Sequence, residues 1–513
     1  MPTLQVNIKH AGKTHQLDLN TDQPASAFKE AVSAVTGVPA DRVKVMIKGG
    51  MLKDDTDWKK VAPKAGQTFM VIGAATELPK PPPAPIVFME DLPDAELAKA
   101  SAALPVGLRN LGNTCYMNAT VQALRAIPEL QQALSAGAGG PGELSRALRD
   151  LLRNMGETTE AVTPMGFLSV LRQVAPQFAE MDRSKGGMMR GYAQQDAEEC
   201  WTAITNALKE VPGPSSNGKF VEKYLQGEIR RELKCVEAPD EPPTVSFEKV
   251  LKIECNITST TNYMLQGIMS ALTQEVEKTS PTLGRSAVYT QTSRVTRLPA
   301  YLTVHMVRFA WRRDIAKKAK IMRRVKFPTE FDALDLVTDE LKAKLQPLNR
   351  KLLDVEKARR DRHNVRKRTK VIASSSTPAA ATSSSTDAVL TDESSEVKMD
   401  VDNEKSEDAW REEERKELES LVSEDLKSDV GSSLHGLYEL VAIVTHKGAA
   451  ADAGHYIGWA KKSVFGNTEE DDEDWYKFDD DKVSVFPAEK LATLDGGGED
   501  SSAYVLLYKS KPL

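Results

Sequence analysis

The stretch GLRNLGNTCYMNATVQAL, residues 107–124, sets a cysteine between a glycine-bearing loop and a run with helical spacing. Met117, Val121 and Leu124 fall on one face of that run, and Asn113 or Thr114 stands where a cap belongs. Cys115 is thereby placed in the first turn of a helix. Unpaired main-chain amides and the helix macrodipole favour an anion there, and thiols so placed ionise more readily than free cysteine. Taken alone, the residue is either a small buried apolar group or a nucleophile. Gly107 and Gly112 leave room for a substrate backbone to approach it closely.

The chain around it has 513 residues, 40% hydrophobic and 28% charged, material for two or more globular domains. A formal net charge of -6 argues against nucleic acid as the main partner, because phosphate binding calls for a basic face. The opening MPTLQVNIKHAGK lacks the apolar core of a signal peptide. No apolar run approaches the roughly 18 residues of a membrane span. The expectation is a soluble intracellular protein whose four cysteines, Cys115, Cys200, Cys235 and Cys255, stay reduced. No two of them form a CxxC pair, which leaves a structural zinc site little support; neither a metal nor another cofactor is expected.

Residues 1–75 read as one small domain. Leu4, Val6 and Ile8 alternate with polar residues, and Leu17 and Leu19 resume the alternation after a turn, which predicts a hairpin. Phe28, Val32 and Val35 follow at helical spacing after Pro24. Val43, Val45 and Ile47 predict a third strand, and Phe69 and Val71 a last one. A sheet packed on a single helix is expected. Residues 76–104 contain KPPPAP and read as a semi-rigid linker. A second break spans about 350–432, where EKARRDRHNVRKRTK is basic, ASSSTPAAATSSST is low-complexity and TDESSEVKMDVDNEKSED is acidic. Blocks of like charge with few apolar residues predict a largely disordered insertion, with a short charged helix at 410–426. The basic run fits a solvated tether, or alternatively a nuclear import signal.

A nucleophilic cysteine needs a base, and the chain has seven histidines. His10 and His15 belong to the first domain, and His363 and His435 lie in or beside the insertion. His305 and His446 sit in apolar strand patterns and read as satisfied core residues. His455, in AGHYIGWAK, follows the small-residue loop 447–454 and opens a strand, so it is the candidate base. Downstream, residues 475–478 predict a strand pairing with that one, which brings Asp479 within reach of the imidazole. Asp481 reads as part of a solvated turn.

Residues 107–124 resemble the cysteine box of the ubiquitin-specific proteases. YELVAIVTHKG, GHYIGWAK, WYKFDDDKVSVF and AYVLLY resemble their histidine box in matching order, with YAQQDAEEC and LPAYLTVHMVRFAW as matching blocks between. The resemblance covers about residues 105–510. It implies an α+β chain in which a papain-like thumb, palm and fingers grip ubiquitin. Cys115 would be the nucleophile, His455 the base and Asp479 its orienting partner. Asn110 matches the oxyanion-hole amide and Asp480 a supporting acidic position, while Asp196 and Gln194 match substrate-binding positions. The first domain resembles a β-grasp ubiquitin-like fold, notably in MIKGGMLKDDTDW, residues 46–58. A ubiquitin-like domain, a proline linker and a protease in that order resemble the family's proteasome-associated branch. That implies docking on the regulatory particle of the 26S proteasome, ubiquitin conjugates as substrates, and a cytoplasmic and nuclear location. A decayed scaffold that only binds, and a protease for another ubiquitin-like modifier, are the alternatives.

Overall fold

The computed structural model describes residues 3–72 and 104–513, apart from 376–406 and the short stretches 11–12, 37, 39–42, 48–49, 55, 137–141, 183–190, 215–217, 313–316, 451–452 and 467–471. Two compact units, Met1–Ala98 and Lys99–Leu513, are described in turn. The linker expected at 76–104 falls almost wholly outside the described residues.

In the first unit β1 (Thr3–His10) and β2 (Lys13–Asn20) form the expected hairpin, followed by α1 (Ala25–Thr36), β3 (Lys44–Ile47), β4 (Gly50–Met51), α2 (Trp58–Val61) and β5 (Thr68–Ile72). The sheet runs β2-β1-β5-β3-β4, with β1 and β5 parallel. Strand alternation sends Val6, Ile8, Leu19, Val45, Phe69 and Val71 inward against Phe28 and Val32 of α1. Val35, expected on the same face, is exposed in the last turn. On the outer face Met51, Met46 and Met70 stand side by side across three neighbouring strands.

The second unit opens with helices α3 (Cys115–Leu124), α4 (Pro128–Ala136), α5 (Glu143–Glu157), α6 (Met165–Val174), α7 (Ala197–Ala207) and α8 (Phe220–Tyr224). A four-stranded sheet follows in the order β7-β6-β10-β9, built from β6 (Gly227–Cys235), β7 (Thr244–Val250), β9 (Thr273–Thr279) and β10 (Ser286–Arg297). Between these strands the chain places β8 (Ile253–Asn256) and α9 (Met264–Ala271). The remaining strands are β11 (Tyr301–Val307), β12 (Phe309–Arg312), β13 (Lys317–Lys320), β14 (Glu330–Asp332), β15 (Leu437–Ala450), β16 (Ala453–Lys461), β17 (Trp475–Asp479), β18 (Lys482–Phe486) and β19 (Ser502–Ser510). They form the main sheet, with β18-β17-β16-β15-β19-β11-β8 as its path. Helix α3 lies directly on this sheet. A Cβ at Gly458 of β16 would sit 3.0 Å from the Ala119 carbonyl oxygen, so glycine lets the two elements meet without crowding.

The insertion departs from expectation. Helix α10 runs Asp339–Ser375, and α11 (Glu407–Leu421) and α12 (Glu424–Ser428) return from the far side. Leu345, Leu348, Leu352 and Val355 recur at alternating spacings of three and four, and Arg359, Arg362 and Arg366 continue the row. Leu348, Leu352 and Val355 bury themselves against Leu418, Val422 and Leu437. Further out, Arg359 and Arg362 pair with Glu414 at 2.8 and 2.6 Å, and Arg366 pairs with Glu407 at 2.9 Å. The basic block and the glutamates of α11 are complementary halves of one hairpin, and burial of aliphatic layers at its base repays the ordering cost. The low-complexity core of the insertion, 376–406, lies outside the described residues. Leu418→Ala is accordingly expected to destabilise the catalytic unit by about 2–5 kcal/mol in a denaturant titration. An unchanged midpoint would restore the picture of a dispensable tether.

Candidate active site

The cysteine loop is held by its own polar groups. Thr114 is the residue before α3, but its hydroxyl does not cap the helix, contrary to expectation. It accepts from the Leu111 amide at 2.8 Å instead. Asn113, the other expected cap, takes a left-handed conformation (φ 54°) and donates its side-chain amide to the Tyr192 carbonyl at 2.9 Å. Cys115 begins α3 and is 2% exposed.

Strand β16 carries His455 in register with Lys447 of β15, and β17 ends on Asp479 beside it. The small-residue loop expected at 447–454 is strand as far as Ala450 on one side and from Ala453 on the other. His455 therefore sits inside a hairpin, not at a loop-to-strand junction. Its Nε2 meets Asp479 Oδ1 at 2.6 Å, which leaves Nδ1 for the thiol. The hydrogen bond with the Cys115 side chain pushes the imidazole up to about 9; burial opposes this and Asp479 adds to it. Burial would raise the Asp479 carboxyl, but bonds from His455 and from Lys477 (3.0 Å) outweigh it and hold the group below the usual carboxylate range.

Asp480 is where the two halves of the site are stitched together. It has φ 55°, uncommon for a residue with a side chain. Its Oδ2 accepts from Asn110 Nδ2 and its Oδ1 from Asn118 Nδ2, both at 2.8 Å. Its carbonyl accepts from the Leu108 amide at 2.9 Å. A Cβ on Gly107 would lie 2.5 Å from the Asp481 carbonyl oxygen. The close approach that Gly107 permits is thus by the chain's own turn and not by a substrate. Asn110 Oδ1 meanwhile accepts from the amides of Gly112 (2.9 Å) and Thr114 (3.2 Å), so the orientation of its carboxamide is fixed. Neither Asn118 nor Lys477 was singled out in the sequence. Asn118 lies three residues past the cysteine on the buried side of α3, and Lys477 two residues before Asp479, but nothing in spacing alone marks them.

Asp196 caps α7, accepting from the Glu198 amide at 2.7 Å and from the Tyr504 hydroxyl through both oxygens, at 2.9 and 2.7 Å. Burial raises its carboxyl above the ordinary value, with those bonds partly offsetting the rise. Gln194 lies beside the cysteine, its Nε2 donating to Cys115 Sγ at 3.3 Å. The other buried histidines take no part in this hydrogen-bonded array. His435 is buried and bonded through both ring nitrogens. His305 and His446 are buried as expected, but neither ring has a hydrogen-bond partner among the described residues. Both are held by aromatic edges, His305 against Tyr504 at 5.1 Å and His446 against Tyr456 at 4.8 Å. Burial drives both downward, to about 4 and about 3. The described residues contain no metal-ligand cluster, and Cys235 and Cys255 lie on different sheets.

The model of the family "Ubiquitin carboxyl-terminal hydrolase" matches residues 106–508, and that of the "Ubiquitin family" matches residues 6–75. The chain is 41% identical over 511 residues to Ubiquitin carboxyl-terminal hydrolase 6 of Schizosaccharomyces pombe, covering 99% of each. It is 35% identical over 520 residues to Ubiquitin carboxyl-terminal hydrolase 7 of Arabidopsis thaliana, again covering 99% of each. Among solved structures, the SAGA Ubp8/Sgf11/Sus1/Sgf73 DUB module bound to ubiquitin aldehyde is similar with a TM-score of 0.48 at 16% identity, over 80% of this chain and 70% of the other. The chain belongs to the ubiquitin carboxyl-terminal hydrolase family and is a cysteine-type deubiquitinase that carries a ubiquitin-like domain ahead of its catalytic domain.

Proposed function

We propose that this deubiquitinase works at the proteasome, with Cys115 as nucleophile, His455 as acid and base, and Asp479 as the group that orients His455. The observation that carries the chemistry is the continuous array from thiol to imidazole to carboxylate. The thiolate attacks the carbonyl carbon of ubiquitin's terminal glycine in an isopeptide bond. Asn110 spends one amide hydrogen on Asp480, and its second is free to meet the developing oxyanion. One such donor is worth roughly 3–4 kcal/mol in comparable sites. The His455 imidazolium then gives its proton to the departing lysine amine and leaves a thioester. A water loses one proton to His455 as it attacks the thioester; the sulfur leaves as thiolate, and the carboxylic acid so formed on ubiquitin releases the second proton to solvent. Asp196 and Gln194 flank the path of the ubiquitin tail in this reading, and Asp480 holds Asn110 in place.

Docking through the ubiquitin-like domain is supported by its outer face. Met51, Met46, Met70 and Ile72 are 46%, 40%, 55% and 53% exposed, the three methionines in one row across the strands and Ile72 two residues on from Met70. Methionine surfaces of this kind adapt readily to a partner. The reading carries with it a cytoplasmic and nuclear location. The test has two arms. Ubiquitin bearing a C-terminal electrophile should label the protein while other modifiers so equipped should not; equal labelling by another modifier would overturn the substrate assignment. Removing residues 1–76 should leave hydrolysis of a small ubiquitin conjugate nearly unchanged, and Met46→Lys with Met70→Lys should weaken co-sedimentation with proteasomes at least about 10-fold. Parental co-sedimentation would place docking elsewhere in the chain.

A further inference from the structure

We propose that Gln194 is a further catalytic residue, the side-chain donor that holds the Cys115 sulfur as a thiolate in the resting enzyme. The inference rests on Cys115 being the nucleophile. Although Cys115 is only 2% exposed, three N–H groups converge on its sulfur. Gln194 Nε2 lies at 3.3 Å, the Tyr456 main-chain amide at 3.4 Å, and the His455 ring completes the set. A neutral thiol is a weak acceptor and would leave buried donors poorly satisfied, whereas a thiolate accepts all three.

The three donors are not equivalent. His455 must turn from the sulfur to the leaving amine and to water in each turnover. The Tyr456 amide is fixed by its strand and cannot be altered by substitution. Gln194 alone is a neutral side chain committed to the sulfur. Its segment is pinned on both sides: Tyr192 by Asn113 and by the Arg172 guanidinium 3.4 Å over its ring, Ala193 by the Glu180 carbonyl at 2.9 Å, and Asp196 by Tyr504. Ionisation passes the thiol proton to His455. Gln194 gives up no proton, and no bond forms or breaks at its amide. The ionisable groups facing the sulfur are His455 from β16, Tyr116 from α3 itself and Tyr456, with Asp479 and Asp480 behind His455. Neither tyrosine ionises at working pH, since burial raises both, so a Gln194 effect is read against the His455 ion pair alone.

The experiment is iodoacetamide alkylation of the full-length protein, followed at the Cys115 peptide by mass spectrometry at pH 6.5 and 9.5. Gln194→Ala should slow alkylation at pH 6.5 by about 5-fold, with the deficit closing at pH 9.5, because the lost bond favours the charged sulfur only. Gln194→Glu keeps the shape, removes the donor and adds a like charge, and should slow it further. Turnover of a ubiquitin conjugate at pH 6.5 should fall in kcat by a similar factor with KM little changed. A raised KM with parental alkylation would reduce Gln194 to a substrate contact and overturn the proposal. Equal deficits at both pH values would mean lost structure and overturn it as well. If Cys115→Ala itself retained turnover, the nucleophile assignment would fail, and that result is distinct from any of these.

Discussion

Cys115→Ala is expected to lower kcat/KM for a ubiquitin–lysine conjugate by about 10⁴-fold or more, since the attacking atom and its thioester are both lost. Ubiquitin binding should survive, because alanine fills the first position of α3 without disturbing its packing. A C-terminal ubiquitin electrophile should add one label to the parent protein and none to the variant. The remaining thiols are poor alternatives: Cys200 and Cys255 are fully buried, and burial pushes both upward, away from the reactive form. A label found at Cys200, Cys235 or Cys255 would sink the assignment.

The second large effect is at the base. His455→Ala should cost about 10³–10⁴-fold in kcat, the full contribution of positioned proton transfer. The sign of the pH dependence follows from the imidazole value of about 9, above the ordinary 6.5. The protonated ring is the favoured form below that value and is lost as pH rises through it, so the kcat/KM profile should fall on its alkaline side with a midpoint near 9. Whatever folding stability the pairing adds is present below 6.5 and likewise disappears as pH rises through about 9. Asp479→Asn removes a carboxylate that supports the imidazolium, yet its amide still orients the ring. That variant should be milder than His455→Ala, with its alkaline limb moved to lower pH by up to about one unit. An unmoved limb, or a loss equal to that of His455→Ala, would deny Asp479 its role.

Much of this site could be read from the chain because its chemistry is local. A cysteine at a helix start and a histidine near the start of a strand are patterns of neighbouring residues, and elimination among seven histidines does the rest. The β-grasp unit was readable for the same reason, since a period of two along a strand is visible in a few residues. What escaped is what depends on distant pairs. Asp480 and Asn110 meet across 370 positions, and the partner of Gly107 is a turn at the other end of the domain. The arginines of α10 find their glutamates about fifty positions away, so the basic block taken alone reads as a solvated tether. Gln194 was legible only as part of a family block; that its amide points at the sulfur is a fact of packing.

The stitch at Asp480 has a consequence for how activity is acquired. Loop and turn interlock so tightly at Gly107 that Cys115 and His455 face each other only when contacts spanning 370 positions have closed. Contacts of that span form late, because their loop-closure entropy is repaid only after the intervening chain is in place. A ribosome-bound or half-refolded chain can hold a complete α3 and a complete ubiquitin-like domain and still present a lone thiol with no proton acceptor. Cleavage is accordingly expected to begin only when the fold is finished.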